Sequence, residues 1–598
     1  MEPQPAASPA TAYRDSAKAR RETEASLQKH LDRIGWARVA VALFGVLQVI
    51  DFFTMHFLPP WLLAAPVIGL VALTSFYMRV KSRRDGSKRA AEFHEFGLAR
   101  IEERWHGQGE QGSAYLNDEH LYAADLDLFG RGSLFERICE ARTRIGQDTL
   151  ADWLLAPAMP VGVVARQQAV ADLRPRWPLR ERLAVLGSRI PTGIDTGLVE
   201  RWATAATVLP GWGRYAVHGW TVVLAVVLLL ASFDLVSWWV FFAVLAGQGL
   251  FVVSLFARTS QVLRDIEPRS RDLFELTEIM AVLENEPFAA PLLVDLQRDL
   301  KADGVPPSKQ LRRLVSLVDL LNARRNQLFF PIALILMWGT RMAYQLEAWR
   351  LQHGPVVGRW FRHLGEMEAL LSLAGYAFEN PHDPFPEIVS DRNVLEGTAL
   401  GHPLVPHDRC VRNDIHLDEV HLLIVSGSNM SGKSTFLRTV GINTVLALAG
   451  ATVRAKAMRL SPFAIGATLR IQDSLQAGKS RFFAEITRIQ RIVSLASGPL
   501  PLLFLLDELL HGTNSHDRRV GAAAILRTLL DRGAFGMITT HDLALSELVQ
   551  ALGSRAANVH FADHLEKGEI VFDYRMRPGI VQHSNAVALM RAVGLPVD

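Results

Sequence analysis

Ten consecutive residues constrain this chain more than any other feature. Ser426-Gly427-Ser428-Asn429-Met430-Ser431-Gly432-Lys433-Ser434-Thr435 follows a short apolar run, residues 421–425 (HLLIV), and precedes FLRTVGINTVLALAG. Gly427-x4-Gly432-Lys433-Ser434 fits the phosphate-binding loop pattern, and its neighbours supply the strand before it and a helix expected to start at Lys433. The glycines let backbone N–H groups wrap phosphate oxygens. Lys433 is placed to reach the β- and γ-phosphates, and the Ser434 hydroxyl to ligate Mg²⁺. This part of the chain is thereby committed to an α/β nucleotide-binding fold.

Two later patterns suit the same site. Residues 502–508 (LLFLLDE) read as a buried strand ending in two acids. Asp507 is expected to hold Mg²⁺ through water, and Glu508 to orient and polarise the attacking water. Residues 537–542 (MITTHD) form a third strand end, where His541 is expected to sense the γ-phosphate. Two acids at a strand end can be mere caps, and a lone histidine is usually structural. The upstream loop favours the functional reading of both.

Four apolar stretches come in two pairs: residues 39–58 with 61–78, and residues 215–233 with 235–257. Each is close to the ~20 residues needed to cross ~30 Å of hydrocarbon. The links are short, Pro59-Pro60 and Asp234, so each pair reads as a transmembrane helical hairpin. Basic residues flank the first pair (Arg33 and Arg38 before, Arg79 to Arg89 after) and are absent from the tips. The positive-inside rule then puts both termini and the middle of the chain in the cytoplasm, at an inner membrane. Asp51 inside the first span needs a partner helix or water. A fifth run, residues 328–339 (LFFPIALILMWG), is too short to span and is expected to be a buried core helix.

The balance of 64 Lys+Arg against 61 Asp+Glu leaves a net charge of +3, which excludes a polycation that coats nucleic acid. The two cysteines, Cys139 and Cys410, exclude a disulfide framework and a cysteine-based zinc site.

The site residues also carry a family likeness. Residues 399–565 resemble the ATPase domain of MutS, the mismatch-recognition ATPase within the ABC superfamily. The Asn429-Met430 pair within the loop is typical of MutS. Residues 473–485 (DSLQAGKSRFFAE) resemble its signature, D-x-L-x-x-G-x-S-x-F-x-x-E, and residues 507–517 (DELLHGTNSHD) its D-E-x-x-x-G-T-x-x-x-D. Residues 126–157 and 364–403 resemble, more weakly, the start of the MutS helical core and the approach to its ATPase. The resemblance implies ATP and Mg²⁺ as cofactors and a homodimer. It puts Ser480 across the dimer on the partner's γ-phosphate, and Gly512, Thr513, Asn514 and Ser515 at the dimer seam.

It also sets limits. The mismatch-binding domain of MutS has no expected counterpart; Phe93-His94-Glu95 mimics its Phe-x-Glu motif by coincidence. The DNA clamp is absent or reduced between residues 258 and 327. Cys410-Val411-Arg412-Asn413 stands where an aromatic commonly precedes the turn near the adenine. The expected architecture is therefore an α/β ABC-type P-loop ATPase domain (399–598) after a mainly α-helical core (119–398). Residues 1–35 form a tail, 36–80 the first hairpin and 81–118 a charged helical linker, while the second hairpin, 215–257, interrupts the core.

Two readings of the target remain open. One is a membrane-anchored ATPase on branched, damaged or mismatched DNA, with phosphate contacts from Arg79–Arg89 or from Arg312, Arg313, Arg324 and Arg325. The other is a membrane ATPase that remodels a protein or lipid on a reused MutS scaffold. A transporter is disfavoured, because four spans are fewer than the usual six and no LSGGQ-type signature precedes Asp507.

Overall fold

The computed structural model describes residues 8–54, 59–187, 195–302, 304–469, 481–510, 513–541, 543–566 and 569–581. The chain divides into two compact units. One is Met1–Trp105 with Arg176–Pro191, and the other is His106–Pro175 with Thr192–Asp598.

The first unit is built on a long helical hairpin. Helix Pro9–Thr54 runs antiparallel to helix Ala64–Ile101, joined through the short 3-10 turn Pro60–Leu63. Residues 9–35 of the expected tail and 81–101 of the expected linker are thus continuous with the apolar stretches, as one pair of rods, whereas residues 102–118 lie beyond the second helix and are not a charged helix. Their charged halves pair through Arg21 Nε and Nη2, which donate to the two Glu95 carboxylate oxygens at 2.8 and 2.7 Å. Gly97 is needed where it stands, because a Cβ there would lie 2.4 Å from the Tyr13 ring. Helix Trp177–Gly187 joins this pair from far along the sequence. Its Glu181 Oε2 lies 2.6 Å from Nε2 of the buried His94. The Phe93-His94-Glu95 string is therefore consumed in internal packing and pairing.

The second unit is arranged along helix Trp338–Glu379, against which helix Arg144–Leu155 packs. Its Glu368 accepts from the Arg142 and Thr143 amides at 3.0 and 3.2 Å and from the Thr143 hydroxyl. Helices Gly213–Ser232 and Trp238–Arg264 form a second apolar hairpin. Its tip is longer than Asp234 alone: Asp234 takes a left-handed φ of +56° and Ser237 caps the next helix.

Among the described residues, four helices are long and apolar enough to cross a membrane by length and composition. Only 6%, 6%, 17% and 17% of their most apolar windows is buried within the protein. Residues 328–339 depart from expectation. They hold a six-residue helix, Phe330–Ile335, and the first two residues of helix Trp338–Glu379, and Leu328, Phe330, Ile332 and Leu334 are exposed. Length distinguishes a span from a core helix, but it says nothing about an apolar segment lying on the surface.

The strands, in chain order, are β1 (Glu387–Ile388), β2 (Leu395–Leu400), β3 (Asn413–Leu417), β4 (Leu422–Gly427), β5 (Ala457–Leu460), β6 (Ala464–Thr468), β7 (Leu502–Leu506), β8 (Phe535–Thr540), β9 (Ala556–Glu566) and β10 (Glu569–Pro578). A small sheet has the order β1-β5-β2-β3, and the larger one β10-β9-β4-β8-β7-β6. From β9 to β6 every neighbour is parallel, and β10 closes the edge antiparallel to β9. β4, β7 and β8 are buried along their whole length. This is why they read as continuous apolar runs without alternation.

Candidate phosphate-loop site

The site forms at the carboxyl ends of the parallel strands, where open α/β sheets bind ligands. β4 ends at Gly427, the chain turns through residues 428–432, and helix Lys433–Ala449 begins. Gly427 and Gly432 hold φ of +147° and +104°, a region that penalises any Cβ. A Cβ on Gly427 would also stand 2.8 Å from the Phe561 carbonyl oxygen. The helix starts with no side-chain cap, so its first-turn N–H groups face the loop. The hydroxyls of Ser428 and Ser431 are buried and without a hydrogen-bond partner among the described residues. Lys433 is buried and donates from Nζ to the carbonyls of Gly427 and Ser428 at 2.9 and 2.8 Å. Burial pulls its pKa below the usual lysine value, while Glu508 and Asp507 pull the other way. An uncapped helix end, orphaned hydroxyls and a buried ammonium together fit a polyphosphate.

β7 delivers Asp507 and Glu508. Ser434 Oγ donates to Asp507 Oδ2 at 2.7 Å, and the Thr539 hydroxyl donates to Asp507 Oδ1. Thr539 Oγ1 in turn accepts from the Glu508 amide at 3.0 Å. Because β8 lies between β4 and β7, its last residues fall between the loop and the acids. Glu508 has a left-handed φ of +50°, a conformation costing about 1–3 kcal/mol that concentrates at working sites. His541, just past β8, lies with Nδ1 3.3 Å from Glu508 Oε1. The structure thus brings Lys433, Ser434, Asp507, Glu508 and His541 to one place. Asn429, Met430 and Thr435 line the exposed side of the loop.

Beyond Glu508 the chain is pinned from two sides. The Leu510 amide donates to Glu485 Oε1 at 2.6 Å, and Arg518 Nε donates to the Leu510 carbonyl at 3.2 Å. Asn514 caps helix Ser515–Asp531, accepting from the Asp517 amide at 2.8 Å. Thr513 precedes that cap. Ser480, Gly512, the signature stretch 473–480 and the Ser515 side chain lie outside the described residues.

Sequence reasoning missed three contributors. Thr539 was read only as part of a strand. Tyr574 lies against the loop, since a Cβ on Gly432 would be 3.0 Å from its ring, and it sits at a bulge in the β9–β10 pairing with φ +54°. Asn413 locks that bulge: its Nδ2 donates to the Tyr574 carbonyl at 2.9 Å, and its Oδ1 accepts from the Met576 amide at 2.8 Å. The absent aromatic before Asn413 is thus accompanied by an aromatic from the opposite side. Asn413 stands in the 410–413 stretch expected near the adenine, although its lock on the bulge was not legible there, and only the folded hairpin reveals Tyr574.

Comparison with known proteins agrees with this placement. Residues 423–598 match the family model of MutS domain V. The chain is 34% identical over 219 residues to a protein named DNA mismatch repair protein MutS 2 from Haloarcula marismortui, covering 36% of this chain and 23% of that one. It is 31% identical over 258 residues to DNA mismatch repair protein MutS of Staphylococcus aureus, covering 41% and 28%. With DNA mismatch repair protein MutS of Lactobacillus delbrueckii the identity is 32% over 251 residues, covering 41% and 29%. The chain spans roughly a quarter of the length of these relatives. The matches support a relationship to the MutS family for the region that builds the phosphate-loop site.

Proposed function

We propose that this chain is a membrane-anchored, MutS-like ATPase that binds and hydrolyses ATP with Mg²⁺. The observation that carries the reading is the hydrogen-bonded chain Ser434–Asp507–Thr539–Glu508–His541 beside the Lys433 loop. Ser434 and Asp507 would hold Mg²⁺, which when bound neutralises charge developing on the β- and γ-phosphate oxygens. Lys433 leaves the Gly427 and Ser428 carbonyls for the phosphates. Glu508 orients and polarises a water for in-line attack on the γ-phosphorus, and His541 holds the Glu508 carboxylate. Tyr574 offers a ring face beside the loop for the base. Lys433→Ala is expected to abolish ATP binding, and turnover at the normal rate by Glu508→Gln would overturn the assignment.

The finer reading has three parts. A head-to-tail homodimer would complete each site with Ser480 of the other copy. The low burial of four apolar helices, with basic residues outside the first pair, supports anchoring by two hairpins, with the ATPase domain and both termini in the cytoplasm at the inner membrane. The relatives are named for DNA mismatch repair, so structure-specific DNA is the first target proposed, without the mismatch-binding domain.

One observation favours the second target, a protein or lipid. Three of the four arginines put forward in the second cluster are engaged internally: Arg312 pairs with Glu278, and Arg324 and Arg325 both pair with Glu267. In the first cluster Arg84 pairs with Asp85. Binding of Glu508→Gln to homoduplex, mismatched and branched DNA at two salt concentrations separates the two. Tight, salt-sensitive, ATP-dependent binding supports DNA; none near physiological salt supports the alternative.

A further inference from the structure

Helix Trp238–Arg264 and the segment around Phe330–Ile335 enclose a groove of about 1160 Å³. That exceeds the ~300–1,000 Å³ usual for a small-molecule site. Val253, Phe256, Phe330 and Leu334 line it and are all exposed. Its deep end is marked by Gln248, which is 2% exposed and donates from Nε2 to the carbonyls of Leu334 and Ile335 at 3.4 and 2.8 Å. Those carbonyls end a short helix. In hydrocarbon such groups must find a partner inside the protein: Gln248 reaches both, and the Leu334 carbonyl also accepts from the Met337 amide at 3.2 Å.

The depth follows from helix geometry. Gln248 lies about 15 Å along the helix from Trp238 and about 15 Å from Arg258, which places it near the middle of the charge-free stretch. Arg264 lies about 24 Å from Gln248, beyond the apolar part and at headgroup level. The Phe330–Ile335 segment therefore enters the hydrocarbon and leaves on the side it came from.

The far end of the groove is basic. Arg264, Arg324 and Arg325 line it against the single carboxylate Glu267. A second, polar pocket of about 470 Å³ adjoins there, sharing Glu267 and Arg325 and adding Ser270, Arg271, Asn322 and the carboxylate of Asp319, so that Arg264, Arg271, Arg324 and Arg325 still outnumber the two acids. A long apolar wall, one leaflet deep, thus ends in excess positive charge beside a polar pocket. This charge pattern selects an amphiphile with an anionic head.

Resting on the membrane reading above, we propose that the groove holds one phospholipid with an anionic headgroup. Its acyl chains lie along Val253, Phe256 and Leu334, and its phosphate lies at the Arg264–Arg325 end. Occupancy would tie the membrane to helix Trp338–Glu379, which begins at the groove wall and runs on as the spine of the second unit.

The full chain, purified in detergent, is analysed by native mass spectrometry after exchange against phosphatidylglycerol or phosphatidylcholine, and flotation with vesicles is measured in parallel. Gly249 lines the groove, and no atom lies within 4 Å of the Cβ it lacks, so Gly249→Ala leaves the groove open and Gly249→Trp is the variant chosen to fill it. Wild type and Gly249→Ala should retain one phosphatidylglycerol in preference to phosphatidylcholine. Gly249→Trp should float normally and lose the lipid. Arg264→Gln should keep a lipid but reduce the headgroup preference about fivefold, the equivalent of ~1 kcal/mol per basic residue. Wild type that floats but retains no lipid, retains both lipids equally, or is matched by Gly249→Trp overturns the site alone. Wild type that does not float overturns the membrane reading and the site with it.

Discussion

Ser434 and Asp507 stand 73 residues apart in sequence, and the Ser434 hydroxyl donates a 2.7 Å hydrogen bond to the Asp507 carboxylate. The bond joins the first turn of the loop helix to the end of β7, across the intervening β8. Thr539, from β8, holds the other Asp507 oxygen, so the carboxylate is oriented from both sides. If these groups hold Mg²⁺, Thr539 is a positioning residue. Thr539→Val is expected to weaken Mg²⁺ binding about 10–100-fold, as loss of an outer partner does at other metal sites. Titration of ATPase activity with Mg²⁺ reads the shift. A structural role alone would lower the rate without moving the Mg²⁺ midpoint.

Glu508 separates binding from turnover. Glutamine keeps the size and removes the charge that polarises water. Glu508→Gln is expected to bind ATP at wild-type affinity and to lose about 10²–10⁴-fold in kcat. His541→Ala removes the group 3.3 Å from Glu508 Oε1 and should cost less, with the loss again in kcat rather than KM. Equilibrium nucleotide binding together with phosphate release distinguishes the two terms.

How much of this was legible in the sequence depended on how local the cause was. The strand–loop–helix order around Gly427 and the helix start at Lys433 are written in ten adjacent residues. So are the acids after β7, because a strand buried on both faces leaves an unbroken apolar run. The Asn413–Tyr574 lock joins residues 161 positions apart through a bulge, and no local pattern carries it. Thr539 was in view, but its role depends on β8 lying between β4 and β7, which only the strand order supplies. Residues 176–191 join the N-terminal unit through His94 and Arg20 meeting Glu181, again a long-range pairing. Residues 328–339 misled for another reason: an apolar run too short to span is expected in a core, yet Leu328, Phe330, Ile332 and Leu334 are exposed, and composition does not distinguish the two.

Tyr574 and Asn413 make a paired prediction. The ring rests on Gly432, and Asn413 fixes the backbone that presents it. If the ring stacks on the base, Tyr574→Ala is expected to raise KM for ATP about tenfold, from a stacking term of about 1–1.5 kcal/mol. Tyr574→Phe should keep most of the affinity. Asn413→Ala should follow Tyr574→Ala in direction, because it frees the bulge. An unchanged KM in Tyr574→Ala would remove the ring from the site.

Glu368 predicts a pH dependence. It is buried, and burial raises its pKa to about 7, against hydrogen bonds from Thr143 and Arg142 that favour the charged form. Between about 4.5 and about 7 the folded chain therefore keeps a proton that the unfolded chain has released. The contribution is fully present below that window, falls as pH rises through it, and levels off above it, a change on the order of 3 kcal/mol. Thermal unfolding from pH 5 to 8 should show this decline. Glu368→Gln cannot titrate and should flatten it, whatever its effect on absolute stability.

Arg488 offers a test of coupling between the nucleotide site and the helical core. Asp125, 1% exposed, accepts from the Leu469 amide at 2.6 Å and pairs with Arg488. Arg488 also donates to the carbonyls of Ala467, Asp118 and His120 at 3.0, 3.1 and 2.9 Å. From the loop helix, Arg438 donates to the Asp125 carbonyl at 3.1 Å. One short stretch, residues 118–125, thus receives both the loop helix and helix Arg481–Leu495. Arg488→Ala leaves Asp125 buried without its cation and is expected to cost about 3–5 kcal/mol. Asp125→Asn removes the opposite charge while keeping the shape. In the double variant the two losses should fall short of additive by at least about 1 kcal/mol, because a single interaction is being removed twice. If the pair also couples the two parts, Arg488→Lys, which keeps charge but not the fan of donors, should retain stability better than it retains kcat. Equal losses of both would make Arg488 a brace and nothing more.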